Sequence, residues 1–182
     1  GKVELSDVYA IEELPDGKVV SGTESGALLL WEGNFIKCRF VQVGGKPCHV
    51  GNVTYVELDR EEKCVITAAA DGWIRWWDFT AIDQSEVDAD ISLDFELLPV
   101  AEYYLGDGHG VKGMLDCGNQ GLYRSFVVHD SQGSTTVLKF SLTEPIEPFE
   151  EGDDRASMVK KGMFKGSVSR SVLAYTEAGD FT

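Results

Sequence analysis

The sequence predicts an all-β fold built from repeated units of short strands. Apolar runs of about four to eight residues alternate with clusters of Gly, Asp and Pro, which is the pattern of strands joined by tight turns. One strand–turn–strand motif recurs along the 182 residues, and repetition at a fixed spacing is typical of modular β architectures. No segment has the sustained 3.6-residue periodicity of an amphipathic helix. We therefore expect no substantial helix.

The clearest copy of the motif covers residues 67–80 and reads TAAADGWIRWWDFT. An Asp-Gly turn joins two strands, and the second strand ends in Trp-Asp. This order is the signature of a WD-repeat β-propeller blade, the alternative being an isolated hairpin with a tryptophan cluster. In such a blade a turn aspartate orients a histidine from an earlier loop, and a Ser/Thr hydroxyl links that histidine to the indole N–H, so each buried polar group has a partner. The sequence predicts this relay from His49, Thr67, Asp71 and Trp77.

The motif is repeated elsewhere in the chain. It recurs 46 positions earlier, with Ser21, Ser25 and Trp31 at the hydroxyl, turn and tryptophan positions. A weaker third copy covers residues 130–140, with a leucine at the tryptophan position, and a fourth begins at residues 173–180. The 46-residue step returns between the third and fourth copies, while the middle step is 15 residues longer. A period of about 40–50 residues fits propeller blades.

On this basis we predict a partial propeller with about three and a half blades. The predicted boundaries are 6–48 for the first blade, 49–80 for the second, 81–98 for an acidic insertion, 99–150 for the third blade and 155–182 for an incomplete fourth. A closed ring takes roughly four to eight blades, and an open ring exposes strand edges. We therefore expect a longer protein, a second copy or further segments to complete the ring.

The insertion is strongly acidic. We interpret it as a solvated surface loop or, alternatively, as a docking loop for a basic partner. Its acidic residues include Glu86, Asp88, Asp90, Asp94 and Glu96. A contrasting basic patch in the expected fourth blade consists of Lys160, Lys161, Lys165 and Arg170. Most such patches are solvated surface, so this one predicts no particular partner.

Composition argues against several classes of function. The formal net charge of −15 disfavours nucleic acid and anionic membrane surfaces, because both would repel the chain. No apolar run approaches the roughly 20 residues of a transmembrane helix. Four cysteines are too few for a disulfide framework, which favours the reducing cytoplasm. We expect neither a nucleic-acid partner nor a membrane partner.

The sequence contains no convincing catalytic or metal-binding pattern. Cys38, Cys48, His49 and Cys64 lack the close cysteine pair of zinc sites. No Gly-x-Ser-x-Gly elbow accompanies the histidines. The glycine-rich stretch around His109 leads into a strand and not into a helix, so we interpret it as the linking loop of the third blade rather than as a phosphate-binding loop. We predict no enzyme activity, no cofactor and no small-molecule substrate.

Exposed aromatic side chains are the better candidates for binding. Alternation along the strand that follows the Asp-Gly turn places Trp73, Arg75 and Trp77 on one face and Ile74 and Trp76 on the other. An aromatic residue beside an arginine is a common composition of interaction hot spots. We hypothesise that Trp73 and Arg75 contribute to a protein-binding face. The alternative is that both fill the interface between blades.

Four segments carry more information than a generic WD repeat. They read GTESGALLLWEGNFIKCRF, GGKPCH, ADGWIRWWDFTAID and ELLPVAEYYLGDG. Through these segments, most of residues 14–140 resembles the family of cilia- and flagella-associated protein 44, whose members are large WD-repeat proteins of the axoneme. The Trp-Glu-Gly ending of the first blade and the Lys-Pro-Cys-His linker are the most specific features. The third blade departs from the pattern because it lacks a Trp-Asp pair.

The resemblance implies a scaffold in the tether and tether head that hold an inner-arm dynein beside a sister WD-repeat protein. It implies an inner-arm dynein heavy chain and that sister protein as partners, and the axonemal cytoskeleton of a cilium or flagellum as location. It also implies a second propeller and coiled-coil segments beyond this sequence. The alternative is a generic cytosolic propeller that recognises a linear peptide, modified or unmodified. In both cases stiff sheets would present loops at fixed positions without catalysis.

Overall fold

Three sheets follow one another along the chain in the computed structural model. The structure describes residues 7–119 and 123–140, together with the backbone alone of residues 141, 156–161 and 171–177. In chain order the elements are β1 (Val8–Glu13), β2 (Val19–Thr23), β3 (Leu28–Glu32), β4 (Phe35–Val41), β5 (Val53–Asp59), β6 (Cys64–Ala69), β7 (Trp73–Asp78), α1 (Phe79–Asp83), β8 (Asp94–Glu96), β9 (Pro99–Tyr104), β10 (Val111–Asn119), β11 (Arg124–Asp130), β12 (Thr135–Ser141), β13 (Ala156–Lys161) and β14 (Ser171–Glu177). Each sheet starts as an antiparallel meander, as in propeller blades. The predicted all-β architecture is confirmed.

The first sheet has the strand order β1-β2-β3-β4-β8. The first four strands form the meander, and tight turns join them. β8 comes from a distant part of the chain and pairs parallel to β4, from Arg39 opposite Asp94 to Val41 opposite Glu96. The outer edge of the blade is thereby covered, because β8 occupies backbone groups that β4 would otherwise leave open.

The second sheet has the order β5-β6-β7-β9. Sequence analysis placed residues 99–104 in the third blade, but β9 pairs with the outer edge of β7, from Trp73 opposite Tyr104 to Trp77 opposite Pro99. This pairing satisfies the outward backbone groups of β7. It also buries Ala101 in the core. The second sheet is therefore a complete four-stranded blade.

The third sheet has the order β10-β11-β12-β14-β13. The last two strands belong to the region that the sequence predicted as a fourth blade. Here β14 pairs antiparallel to β12, and β13 pairs with β14. The physical reason is the same as for β9: without β14, the outer backbone groups of β12 would have no strand to pair with. Lys165 and Arg170 of the expected basic patch lie outside the described residues.

Residues 79–98, which we call the strap, are built differently from the solvated loop that their acidity predicted. The strap leaves the second sheet through α1, whose first turn is capped by Asp78 accepting the N–H of Thr80. It then crosses to the first sheet and ends in β8. Ile82 and Leu97 are buried in the core that the first two sheets share.

Among the described residues, no helix is long and apolar enough to cross a bilayer.

Two apolar cores lie on opposite faces of the second sheet. Neighbouring residues of a strand point to opposite faces, so Trp77 packs toward the first sheet and Trp76 toward the third. The Trp76 ring stacks on Phe140 with 4.5 Å between centroids and meets Phe126 edge-on at 6.3 Å. Both tryptophans are fully buried. The middle blade thus fastens its two neighbours through one strand.

Two turn glycines let the linking loops pack close to the blades. Gly26 and Gly72 both have positive φ, and each lies under the carbonyl of a histidine from the next linking loop. A Cβ on Gly26 would lie 2.1 Å from the His49 oxygen, and one on Gly72 would lie 2.8 Å from the His109 oxygen. Only glycine fits both the conformation and the space.

Candidate functional site

The four residues of the predicted relay meet in the second sheet. Thr67 on β6 lies at the centre: the Trp77 indole N–H donates to its Oγ1 at 2.8 Å, and His49 Nε2 lies 2.7 Å from the same oxygen. The other ring nitrogen, Nδ1, lies 3.2 Å from Asp71 Oδ2. The four side chains therefore form one connected path of polar contacts, from the interior of the strands to the turn.

The relay has a definite proton arrangement. Because the Thr67 hydroxyl accepts the indole N–H, its own proton is available to donate to His49 Nε2. Nδ1 then carries the histidine proton and donates it to the Asp71 carboxylate. Burial lowers the pKa of His49, while the Asp71 carboxylate opposes that shift. The histidine is held in the neutral form that this pattern requires.

Asp71 also organises the surrounding backbone. It accepts the N–H of Val50 at 2.8 Å and that of Trp73 at 3.0 Å. Burial raises the pKa of this carboxyl, but the His49 contact and the two N–H donors outweigh burial and leave the pKa below its ordinary value. One carboxylate thus ties the linking loop before β5 to the turn between β6 and β7.

The first sheet contains half of the same relay. The Trp31 indole N–H donates to Ser21 Oγ at 2.8 Å, as the repeat predicts. At the turn, Ser25 replaces the aspartate, and its hydroxyl lies 3.0 Å from Thr23 Oγ1. Both blades therefore have the hydrogen bond between indole and hydroxyl, but the polar contacts at their turns differ.

The third sheet contains the other half of the relay, the contact between histidine and aspartate. His109 Nδ1 lies 2.9 Å from Asp130 Oδ2, so the aspartate–histidine contact is kept. Val128 and Leu138 occupy the hydroxyl and tryptophan positions and are buried, so within the described residues no hydroxyl–indole pair extends this contact inward.

Sequence reasoning missed Asp130 because it assigned the turn aspartate position to Gln132. The available signal was the spacing: 21 positions separate His109 from Asp130, against 22 between His49 and Asp71. Gln132 instead donates from its amide to the Gly108 carbonyl at 3.0 Å. The contact between histidine and aspartate is therefore kept, but the aspartate lies two positions before the one that the repeat predicted.

Trp73 and Arg75 lie side by side, but Arg75 is buried. Its Nε donates to Glu102 at 3.0 Å and its guanidinium to the Cys48 carbonyl at 2.8 Å. The guanidinium also lies 4.6 Å from the centre of the Trp73 ring, which stacks on Tyr104 at 4.8 Å. The burial of Arg75 favours the alternative that it fills the interface between blades, because its polar groups are used inside the blade assembly. Trp73 remains half-buried.

A second charged group links the second and third sheets. Arg124 on β11 pairs with Asp116 at 2.7 Å and with Asp59 at 3.1 Å. Burial first, and the neighbouring Asp116 second, raise the pKa of Glu57 to about 7. Several carboxyls therefore share one guanidinium at this seam, and the raised pKa brings the titration of Glu57 close to neutral pH.

The cysteines show no arrangement for metal or thiolate chemistry in the part of the chain that the structure describes. No group of three metal-ligating side chains occurs there. Burial raises the pKa of the Cys48 thiol to about 12, and burial also raises that of Cys38. Both remain neutral thiols at physiological pH.

Comparison with known proteins gives consistent relatives. The chain is 38% identical over 143 residues to cilia- and flagella-associated protein 44 of Mus musculus and 42% identical over 147 residues to that of Chlamydomonas reinhardtii. The matches cover 79% and 80% of this chain but 8% of each relative. The Trypanosoma brucei brucei protein of the same name is 34% identical over 104 residues, or 47% of the chain. No family model matches.

Solved structures with the same architecture are WD40 propellers. The C-terminal WD40 domain of Sif2 superposes with a TM-score of 0.53 over 76% of this chain and 33% of its own. The β-propeller domain of Myceliophteria thermophila Cps50 (Swd1) gives 0.51 over 79% of this chain and 38% of its own. Sequence identity is 15% in both cases. These likenesses establish the fold, and the chain corresponds to about a third of each propeller chain.

Proposed function

The chain belongs to the family of cilia- and flagella-associated protein 44, and we propose that it serves the axoneme as a non-catalytic WD-repeat scaffold. The observation that carries the proposal is the identity of 38% and 42% to curated relatives across about four-fifths of the chain. The chain spans 8% of the length of these relatives, so the proposal concerns one portion of a larger assembly protein. Its location would be the cytoskeleton of the cilium or flagellum, within the cytoplasm.

Rigidity is the property that suits this segment to such a role. The relay ties a linking loop to a turn, two apolar cores lie on either side of the middle sheet, and the strap joins the second blade to the first. Burial of Trp76 and Trp77 makes relative movement of the sheets costly, because each ring would lose its contacts. The loops at the blade ends are thereby presented at fixed positions, and no bond is made or broken.

We further propose that the partners are axonemal: an inner-arm dynein heavy chain and a sister WD-repeat tether protein. A scaffold would hold the motor in register with its neighbours by shape. The names of the relatives and the resemblance of the WD-repeat segments support this assignment. The other candidate is a cytosolic propeller that recognises a linear peptide.

Affinity purification tests this proposal. The full-length tagged protein is isolated from ciliated cells, and co-purifying proteins are identified by mass spectrometry. Recovery of an inner-arm dynein heavy chain together with a large WD-repeat protein is expected. A matched purification uses Gly26→Ala, which disturbs the packing of the first two blades, and should reduce that recovery if this region makes the contact. Recovery of soluble cytosolic proteins in their place would overturn the axonemal assignment.

A further inference from the structure

The outer face of the first sheet, the face turned away from the second sheet, carries a groove of about 240 Å³. Val8 and Ile11 on this face are 40% and 64% exposed, and Trp31 is half-buried. An exposed group of large apolar side chains marks a surface that another element covers. The groove is lined by Val8 and Ile11 of β1, Val19 and Ser21 of β2, Trp31 of β3 and Gly33 in the turn before β4.

The second sheet has the equivalent face, and there it is buried. Ile11 lies opposite Ser21 in the pairing of β1 with β2. Val56 lies opposite Thr67 in the pairing of β5 with β6, and Ser21 and Thr67 are the hydroxyl residues of the repeat. The other positions correspond in the same register: Val8 to Val53, Val19 to Val65 and Trp31 to Trp77. All four apolar residues of the second sheet are buried, so the two faces differ in what covers them.

The first sheet itself covers that face of the second sheet. β5 packs against β1 and β2, and Val20, Leu28 and Leu30 of the first sheet share one core with Trp77. The molecule therefore contains an example of the element that buries such a face, a neighbouring blade with aliphatic side chains on adjacent strands. The lining of the groove includes no charged side chain, so a charged partner would lose water there without gaining an ion pair.

We propose that the outer face of the first sheet packs against a further WD-repeat blade of the same polypeptide, outside the described residues. The covering blade would present aliphatic side chains at the positions that Val20, Leu28 and Leu30 occupy in the first sheet. The chain spans 8% of the length of its curated relatives, so proteins of this family are long enough to supply such a blade. This inference goes beyond the scaffold role, because it names an interface and the chemistry of its partner, and it does not depend on the axonemal location.

Apolar burial would carry more of this contact than it carries of the next one. At what we call the relay end, the end that carries the turns 69–72 and 130–133 and the linking loops before β5 and β10, a contact between aspartate and histidine ties each turn to its linking loop. The first sheet has Ser25 at the turn position, and its hydroxyl lies 3.0 Å from Thr23 Oγ1. Because the aspartate is replaced here, the groove is the feature that would hold the covering blade.

The test is hydroxyl-radical footprinting of the purified full-length protein, with oxidation of Ile11 measured by mass spectrometry. Ile91 is the matched control, because it is the same residue type, is 80% exposed and lies in the strap, away from the groove. A covered side chain reacts only when the structure opens locally, so Ile11 should be oxidised at least about tenfold more slowly than in the same protein unfolded in urea. Ile91 should react at nearly its unfolded rate. Oxidation of Ile11 at its unfolded rate would overturn the proposal.

A pair of variants and a dilution series complete the test. In the full-length protein, Ile11→Asp places a charge in the covered face and should speed limited proteolysis within residues 7–141 at least about tenfold, whereas Ile91→Asp should change it less than about twofold. Equal rates in the two variants would overturn the proposal. Protection of Ile11 that is lost on dilution would also overturn it, because a second copy would then be the cover. These measurements use the purified protein alone, so their outcome is separate from the recovery of axonemal partners.

Discussion

At the scale of single residues, Thr67 is the side chain on which the relay depends. Its oxygen accepts from Trp77 and its proton serves His49, and all three side chains are buried. A hydroxyl can serve both neighbours because it is donor and acceptor at once. A methyl group of the same size can do neither.

We therefore predict that Thr67→Val is strongly destabilising although it keeps the side-chain volume. It leaves the Trp77 N–H and His49 Nε2 buried without partners, and each such group costs about 1–3 kcal/mol. The expected loss in the free energy of unfolding is roughly 2–4 kcal/mol, measured by urea denaturation. Thr67→Ser should recover most of it. Thr80→Val at an exposed position is the control, and an equal loss there would contradict the relay's importance.

Glu57 gives the molecule a pH response of defined sign. Burial and the nearby Asp116 raise its pKa to about 7, from 4.5, against the opposing Arg124. Between these two pH values the folded state binds more protons than the unfolded state, so this group's contribution to stability falls as pH rises from about 4.5 to about 7. Glu12 on β1 also faces it and acts in the same direction.

The corresponding prediction compares Glu57→Gln with the parent chain. Urea midpoints are measured from about pH 5 to about pH 8, on both sides of the folded-state pKa. The parent should lose stability relative to the variant across this range, because Gln carries no proton to lose. His49 contributes a slope of the opposite sign, but it is present in both chains and cancels in the difference. Parallel curves would show that Glu57 does not titrate near neutral pH.

At the scale of elements, the strap shows how charge and backbone pairing act together. Asp94 accepts two hydrogen bonds from the Arg39 guanidinium, at 2.7 and 2.9 Å. Beside them, β4 and β8 form a parallel ladder. Lys37 pairs with Glu86 farther along. Glu86 and Asp94 of the strap thus face cations of the first blade, while Ile82 and Leu97 enter the core.

We predict that Asp94→Asn loosens the strap while barely changing global stability. The pair is about one-third exposed, and exposed ion pairs contribute about 0.2–1 kcal/mol. Faster amide hydrogen exchange is expected at Leu97, whose N–H donates to the Val41 carbonyl at 2.8 Å. Asp90→Asn removes the same charge from an exposed position of the strap and should leave that exchange rate unchanged. If both variants exchange alike, net charge and not the Arg39 contact governs the strap.

The strap also shows what sequence reasoning reaches and what it misses. The relay was predictable because its turn, strand and loop signals lie within a short stretch and each residue type has one chemical role. The strap was not, because 55 positions separate Arg39 from Asp94, and acidity alone indicates solvation. The sheet membership of β9 depends on which edge is open, and that is a property of the assembled fold. Alternation placed Arg75 on the correct face, but it does not show what packs there.

At the scale of the whole molecule, close contacts between linking loops and turns hold successive blades together. The His49 N–H donates to the Gly26 carbonyl at 3.1 Å, while the His49 carbonyl lies against the Gly26 Cα. Gly72 and His109 repeat the close approach one blade later. A propeller segment with this geometry is stiff because each blade is fastened to its neighbour at the relay end as well as through the apolar cores.

Gly26→Ala tests this whole-molecule contact. The new Cβ would lie 2.1 Å from the His49 oxygen, so the blades must separate or the turn must change. The positive φ adds about 1–2 kcal/mol of strain for a residue with a Cβ. Gly44→Ala isolates that term, because Gly44 has φ of 87° and open space around its Cα. We expect Gly26→Ala to lower the free energy of unfolding by at least about 2 kcal/mol more than Gly44→Ala, the usual size of a steric disruption in a packed interior, and to speed exchange of the His49 amide. Equal losses in the two variants would mean that backbone strain alone acts at Gly26, and that the first two blades are joined by their apolar core without help from the linking loop.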